Sequence, residues 1–161
     1  MEQEMKRRFV AMIASNQISK PYFYLAHGPD KFDCAGLVWY VYHEILDIDI
    51  YEGGFGGSTT GKILTSCYGK IISLEETKKG DILFFHRQSK DEYETTEDNK
   101  YPGHCGIYLG NNRFIHCSGT KGKVIINNFS KSEYWNKVFV SSKDILSDSE
   151  VIKVYQKRLG N

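Results

Sequence analysis

The residues of this sequence best suited to covalent chemistry are one cysteine, Cys34, and two histidines, His104 and His116. Cysteine attacks as the thiolate, and a free thiol with a pKa of about 8.5 is mostly protonated at neutral pH. A helix start favours the anion, because its N–H groups are unpaired and carry partial positive charge. A neighbouring imidazolium favours it further, and such settings bring the pKa down to about 3.5–7.5. One histidine can then act as a base while another polar group orients it. The same residue types also bind zinc, but no close-spaced Cys-x-x-Cys or His-x-x-x-His pair accompanies them. No metal and no cofactor is expected.

Such a site needs elements that hold it. From Cys34 to Leu46 the apolar residues Leu37, Val38, Trp39, Val41, Ile45 and Leu46 cover most of a helix surface, which predicts a buried helix. Asp33 is a good N-cap for it, so Cys34 falls in the first turn. An earlier helix is predicted over about Met5 to Ser19, followed by extended chain at Pro21 to Leu25 and a turn at Gly28-Pro29-Asp30. Gly53 to Gly57 reads as a flexible loop, with Ser58 or Thr59 capping a short helix that reaches Cys67. Beyond Gly80 the pattern turns to β: Asp81–Phe85, His104–Leu109, Arg113–Cys117, Lys123–Asn127, Lys137–Ser141 and Val151–Tyr155. Short connections favour an antiparallel sheet. Helices first and strands afterwards indicate an α+β fold, and residues 1–161 fit a single domain.

The turn between the histidine strands decides whether the pair can work together. A strict two-residue turn at Asn111-Asn112 pairs Gly110 with Arg113 and puts His104 and His116 on opposite faces. A three-residue loop from Gly110 to Asn112 pairs Leu109 with Arg113 and brings His116 opposite Gly106, so both rings share one face. The second arrangement is the expectation, with Asn112 in a left-handed conformation.

Composition narrows the partners. Charged residues make up 25% of the chain and the formal net charge is +1, so neither nucleic acid nor membrane insertion is expected. Met1 to Arg8 carries acids among its bases and does not resemble a secretory leader. The four cysteines fit either a reducing compartment or a segment of a longer exported protein, which leaves the localisation open. Cys67, Cys105 and Cys117 are expected to pack, the last two on the sheet face opposite the histidines. His27, His43 and His86 are assigned no chemistry, with His27 able to intrude on the cleft. Gly56 to Lys62 approaches a phosphate-binding loop, but Ile63 replaces the hydroxyl that would hold magnesium. The acidic stretch from Asp91 to Asp98, within an insertion over 88–100, reads as a solvated loop.

Four segments carry a family resemblance: Pro21-Tyr-Phe-Tyr24, Phe32-Asp-Cys-Ala-Gly-Leu-Val38, Gly80-Asp-Ile-Leu-Phe-Phe85, and His104-Cys-Gly-Ile-Tyr-Leu-Gly-Asn-Asn-Arg-Phe-Ile-His116. In this order they resemble the motifs of the NlpC-type cell-wall peptidases. The resemblance implies a papain-like fold with the cysteine helix packed on an antiparallel sheet. It implies hydrolysis of peptidoglycan stem peptides or muropeptides, commonly between D-glutamate and a diamino acid. Position by position, it makes Cys34 the nucleophile, His104 the general base and His116 the orienting residue. It places Tyr22 near the oxyanion and Asp33 at a substrate amine subsite, a role that stands beside helix capping. The chain departs from the family at Ala35, where Ser is usual, and at Leu25-Ala26, where Gly-Gly is usual. The rival readings are an amidase or acyl transferase on the same scaffold, or a silent module that only binds wall peptides.

Overall fold

A computed structural model describes residues 1–47, 49–51, 59–86 and 102–160. The Gly53–Gly57 loop, the cap at Ser58, the start of the phosphate-loop look-alike and the acidic insertion lie outside these residues. The described elements run α1 (Glu2–Ser15), α2 (Cys34–Leu46), α3 (Thr59–Thr65), β1 (Lys70–Ile72), β2 (Ile82–Phe85), β3 (His104–Gly110), β4 (Arg113–Ser118), β5 (Lys123–Asn128), a short 3₁₀ turn (Phe129–Lys131), α4 (Glu133–Val138), β6 (Phe139–Asp144) and α5 (Ser149–Arg158). The strands form one six-stranded sheet in the order β1-β6-β2-β3-β4-β5, with every pair antiparallel.

Alternation along the strands divides the core in two. Ile82, Phe84, Cys105, Ile107, Ile115, Cys117 and Val124 face α2 and its helical neighbours. Leu83, Phe85 and Phe114 face the other way, toward Phe129 and Val138. Helix α2 starts and ends where the sequence places it. Its buried residues Leu37, Val38, Val41, Tyr42, Ile45 and Leu46 face the larger core, while Trp39 reaches out to Asp49 through its indole N–H at 2.7 Å.

Several expectations need correction. Val151–Tyr155 is helix, not strand, and lies within α5. Asp148 caps that helix through the Glu150 and Val151 amides, and Val151 and Tyr155 are buried one turn apart. Helix α1 ends at Ser15 rather than Ser19, where the backbone turns left-handed (φ 71°). The strand expected at Lys137–Ser141 is β6, which begins at Phe139. Its first residues belong to α4, started by the Ser132 hydroxyl accepting from the Trp135 amide. Strand β1 carries little alternation in its three residues and was not anticipated.

The β3–β4 turn reaches the expected register by the other route. Asn111 (φ 53°) and Asn112 (φ 61°) are both left-handed, and Gly110 pairs with Arg113, which is the two-residue turn. Leu109 does not pair with Arg113. Instead the register shifts between Tyr108 and Gly110, and Tyr108 and Ile107 stand opposite Phe114 and Ile115. One bulged residue thus restores the alignment that the simple turn would lose. Continued, it sets Gly106 against His116, where a Cβ on Gly106 would come 3.0 Å from His116 Cβ.

A buried ion-pair cluster ties α1 to one end of the adjacent strands β2 and β6. Arg7 reaches Asp81, just before β2, at 2.6 Å and Asp144, the last residue of β6, at 2.9 Å. Its guanidinium also donates to the Lys79 carbonyl and the Ser147 hydroxyl. Removing it strands two buried carboxylates, so Arg7→Ala should lower unfolding stability by about 3–5 kcal/mol. Urea titration checks this, and a loss below about 1 kcal/mol would mean that the cluster is solvated.

Candidate active site

Cys34 is the first residue of α2. The Asp33 carboxylate accepts the Gly36 amide at 2.7 Å and, with its other oxygen, the Leu25 amide at 3.1 Å. The segment before it folds back tightly, with the Asp33 amide donating to the Ala26 carbonyl at 2.7 Å. Gly36 makes that approach feasible, because a Cβ there would fall 2.0 Å from the Ala26 oxygen. The helix start is therefore locked to the chain that carries Tyr22.

The Cys34 sulfur lies 3.8 Å from the Gly103 carbonyl, just ahead of β3, and 3.9 Å from the Thr60 hydroxyl of α3. The same hydroxyl is 3.7 Å from the Cys105 sulfur. The Cys34 thiol is held well below its ordinary pKa, chiefly by a hydrogen bond from Cys105. Burial opposes this, while the hydrogen bond and charge of His104 and the Thr60 hydroxyl add to it. Burial pushes Cys105 well up, and the Cys34 anion pushes it further, so Cys105 stays a thiol donor. Cys105 was expected only to pack. It lies on the expected face, yet it also stabilises the Cys34 anion. Cys117 on the same face donates to the Phe32 carbonyl at 3.2 Å, and burial raises its pKa to about 12.

The histidines meet as the register requires. His104 Nε2 and His116 Nδ1 are 2.8 Å apart, and His116 Nε2 is 2.7 Å from Asn127 Oδ1. His104 uses Nε2 for this contact, which leaves Nδ1 as the ring nitrogen available to Cys34. Aromatic rings hold the pair: Phe114 stacks on His116 with centroids 4.9 Å apart, and Trp135 meets it edge-on at 4.8 Å. Burial, with the charge of His104 as a second cause, lowers the His116 pKa to about 3, so His116 is neutral at working pH.

These residues line a cleft of about 430 Å³ with Tyr22, His86, Ser118–Lys121, Ile125, Tyr134 and Trp135. Tyr22, Cys34, His104 and His116 come together there. Asp33 lies behind the cysteine, mostly buried, and is not among the lining residues. Burial raises its carboxyl to about 6 despite the two amides it accepts. His27 packs edge-on against Trp39 at 5.1 Å and lines a separate hollow, while His86, assigned nothing, lines the cleft. Asn127, Trp135 and the β4–β5 turn were missed. Alternation along Lys123–Asn127 puts Asn127 on the His116 face, but only a known β4–β5 register brings it beside His116. Among the described residues, no cluster of three or more His, Cys, Asp or Glu side chains is placed to hold a metal.

A cysteine at the start of a buried helix, set against paired histidines on an antiparallel sheet, defines an α+β papain-like fold. The chain belongs to the NlpC/P60 family, whose model matches residues 19–144. Murein DD-endopeptidase MepH of Escherichia coli is 30% identical over 132 residues, which are 81% of this chain and 43% of that protein. The gamma-DL-glutamyl hydrolase of Bacillus subtilis is 28% identical over 148 residues, 91% of this chain and 32% of that protein. This chain thus spans less than half of each. NlpC2 from Trichomonas vaginalis superposes with a TM-score of 0.65 at 27% identity, over 87% of this chain and 46% of that one. RipD from Mycobacterium tuberculosis, described as a non-catalytic NlpC/p60 domain protein adapted to peptidoglycan binding, shares the fold at 13% identity. Its TM-score is 0.60, over 86% of this chain and 95% of that one.

The hydrogen bond from Cys105 has a measurable consequence. Losing a hydrogen bond to a charged group costs about 1.5–3 kcal/mol, equivalent to about 1–2 pKa units. The pH midpoint for alkylation of Cys34 should rise by about that much in Cys105→Ala. An unchanged midpoint in the folded variant would leave Cys105 with packing alone.

Proposed function

We propose that this chain is a metal-independent cysteine endopeptidase acting on peptidoglycan stem peptides, at the bond between D-γ-glutamate and a diamino acid. Residues 1–161 work in this reading as one domain. The observation that carries it is the Cys34–His104–His116 array, with its sulfur poised as an anion, at the wall of an open cleft. The Cys34 thiolate attacks the amide carbonyl, forming a C–S bond and placing charge on oxygen. The Cys34 amide and the Tyr22 hydroxyl are suited to receive that charge. The intermediate collapses, the C–N bond breaks, and His104 gives its Nδ1 proton to the departing amine. Water then loses a proton to His104 and attacks the thioester, releasing the carboxylic acid and restoring the thiolate.

The substrate class rests on family membership and on the charges around the site. Lys121 is the one lysine or arginine among the described cleft-lining residues, which suits a peptide rich in carboxylates. Asp33, behind Cys34 and outside the cleft lining, acts on a substrate amine in this reading through its charge rather than by contact. The gamma-DL-glutamyl hydrolase supports the γ-glutamyl bond, whereas MepH is named for a DD bond, so the products decide. The fold alone does not decide for catalysis, as RipD illustrates; the complete cysteine–histidine set is what supports it here.

The test is incubation with defined stem peptides and mass spectrometry of the products. Cleavage at the γ-glutamyl bond is expected, with none above background for Cys34→Ala. Turnover by Cys34→Ala would sink the scheme. Scission at a muramoyl–alanine bond, or acyl transfer to an amine, would replace the peptidase by an amidase or transferase. An inert Cys34 with saturable peptide binding would replace it by a binding module.

The Asp33 subsite predicts a pH dependence. Its carboxyl, raised to about 6, is charged above that pH and neutral below it. KM for a peptide with a free N-terminal amine should therefore rise as pH falls through about 6, and this dependence should vanish in Asp33→Asn. For stability the sign is opposite. Because the folded pKa is raised, the contribution of Asp33 is full below the unfolded value of about 4 and is lost as pH rises through about 6.

A further inference from the structure

We infer that Asn127 is a positioning residue that selects the tautomer of His116 and thereby keeps the cysteine-facing nitrogen of His104 free of a proton when it must act as a base. The inference rests on the proposed Cys34–His104–His116 reading. It starts from a property of imidazole: a neutral ring carries one N–H and one bare nitrogen, and which is which is set by its partners.

The chain of contacts has one direction in which all donors and acceptors match. Asn127 aims its amide oxygen, an acceptor only, at His116 Nε2 from 2.7 Å. His116 must then carry its proton on Nε2, leaving Nδ1 bare. That bare nitrogen accepts from His104 Nε2 at 2.8 Å, so a neutral His104 carries its proton there and presents a bare Nδ1 toward Cys34. Without an acceptor at Asn127, the reverse arrangement becomes accessible. His116 then holds its proton on Nδ1 and donates to His104 Nε2. A neutral His104 would carry its proton on Nδ1, facing the sulfur, with no lone pair to receive another.

The surroundings leave this choice to Asn127. Phe114 and Trp135 supply apolar ring faces to His116, and β5 supplies Ile125 opposite it and Asn127 on the diagonal. Among titratable groups of the described residues, His104 is the one whose charge bears on His116. Cys34, Tyr22, Tyr134 and Lys121 line the same cleft. Since His116 is neutral above a pH of about 3, it remains able to accept from His104 over the working range.

Three variants and one spectrum test the inference. Asn127→Leu keeps a similar bulk without an acceptor, and losing a partner that orients a functional histidine costs about 10–100-fold, here expected in kcat with KM little changed. Asn127→Asp restores the acceptor and should recover most of kcat near neutral pH. Its carboxylate favours the His116 cation, which donates from both nitrogens and cannot accept from His104. The acid limb of its kcat profile should therefore move to higher pH than in the wild type. Nitrogen-15 spectra of the His116 ring should show a bare Nδ1 in the wild type and a mixture in Asn127→Leu. A wild-type kcat in Asn127→Leu, an unmoved acid limb in Asn127→Asp, or a wild-type ring protonated on Nδ1 would each overturn the assignment. His104→Ala probes the parent reading separately: its full activity would remove the base itself, whereas the spectrum reads the tautomer whether or not turnover occurs.

Discussion

The site depends on a hydrogen bond between two imidazoles, His104 Nε2 and His116 Nδ1, 2.8 Å apart. Neither side chain has much freedom to find the other, since both project from paired strands of one sheet. Their contact is therefore a demand on strand register, and a slip of one residue would send one ring to the opposite face. The Asn111-Asn112 turn alone would produce that slip. The bulge between Tyr108 and Gly110 cancels it, and Gly106 leaves open the space against His116 Cβ. A local backbone irregularity and one missing side chain thus decide whether the two imidazoles meet in the cleft.

The cysteine is positioned by a different device on a different element. Asp33 fixes the first turn of α2 through the Gly36 amide and anchors the preceding loop through the Leu25 amide. One carboxylate therefore sets both the helix start and the path of the chain from Tyr22. It is held largely out of water to do so, which is why it retains its proton to about pH 6. A residue under that constraint carries its charge only in the upper part of the pH range, so the proposed role toward an amine is confined there. The capping role and the proposed substrate role of Asp33 are thus separable by pH.

Much of this was legible because it rests on local patterns. The length and burial of α2 follow from its apolar residues, and the Asp33 cap and strands β2 to β5 follow from residue type and alternation. The histidines were placed on one face correctly, yet through the wrong turn, because a bulge leaves no mark in the alternation of a strand that ends in Leu-Gly-Asn-Asn. The Val151–Tyr155 segment misled for the same kind of reason. Five residues rich in valine and isoleucine read as strand, whereas Val151 and Tyr155 bury one helical turn apart behind the Asp148 cap. Asn127 and Trp135 were not legible at all. Their importance comes from which strand and helix lie beside His116, a tertiary fact that spacing along the chain does not encode.

A neutral orienting histidine has an electrostatic consequence for the sulfur. A carboxylate in the place of His116, against Phe114 and Trp135, would carry a large desolvation cost in so apolar a setting. Neutral His116 avoids that cost but brings no negative charge to stabilise an imidazolium on His104. In the proposed mechanism the counter-charge must then come from the thiolate itself, so an imidazolium formed on His104 depends on the stability of the Cys34 anion. That places unusual weight on the groups that donate to it: the Cys105 thiol, the Thr60 hydroxyl and the amides at the start of α2. Cys105 serves this purpose only while it keeps its own proton, and its burial on the helix-facing side of β3 ensures that it does. The alternation that turns the two histidines into the cleft is the same alternation that turns Cys105 beneath Cys34. The neutral His116 beside His104 and the buried thiol under Cys34 are two sides of one charge balance.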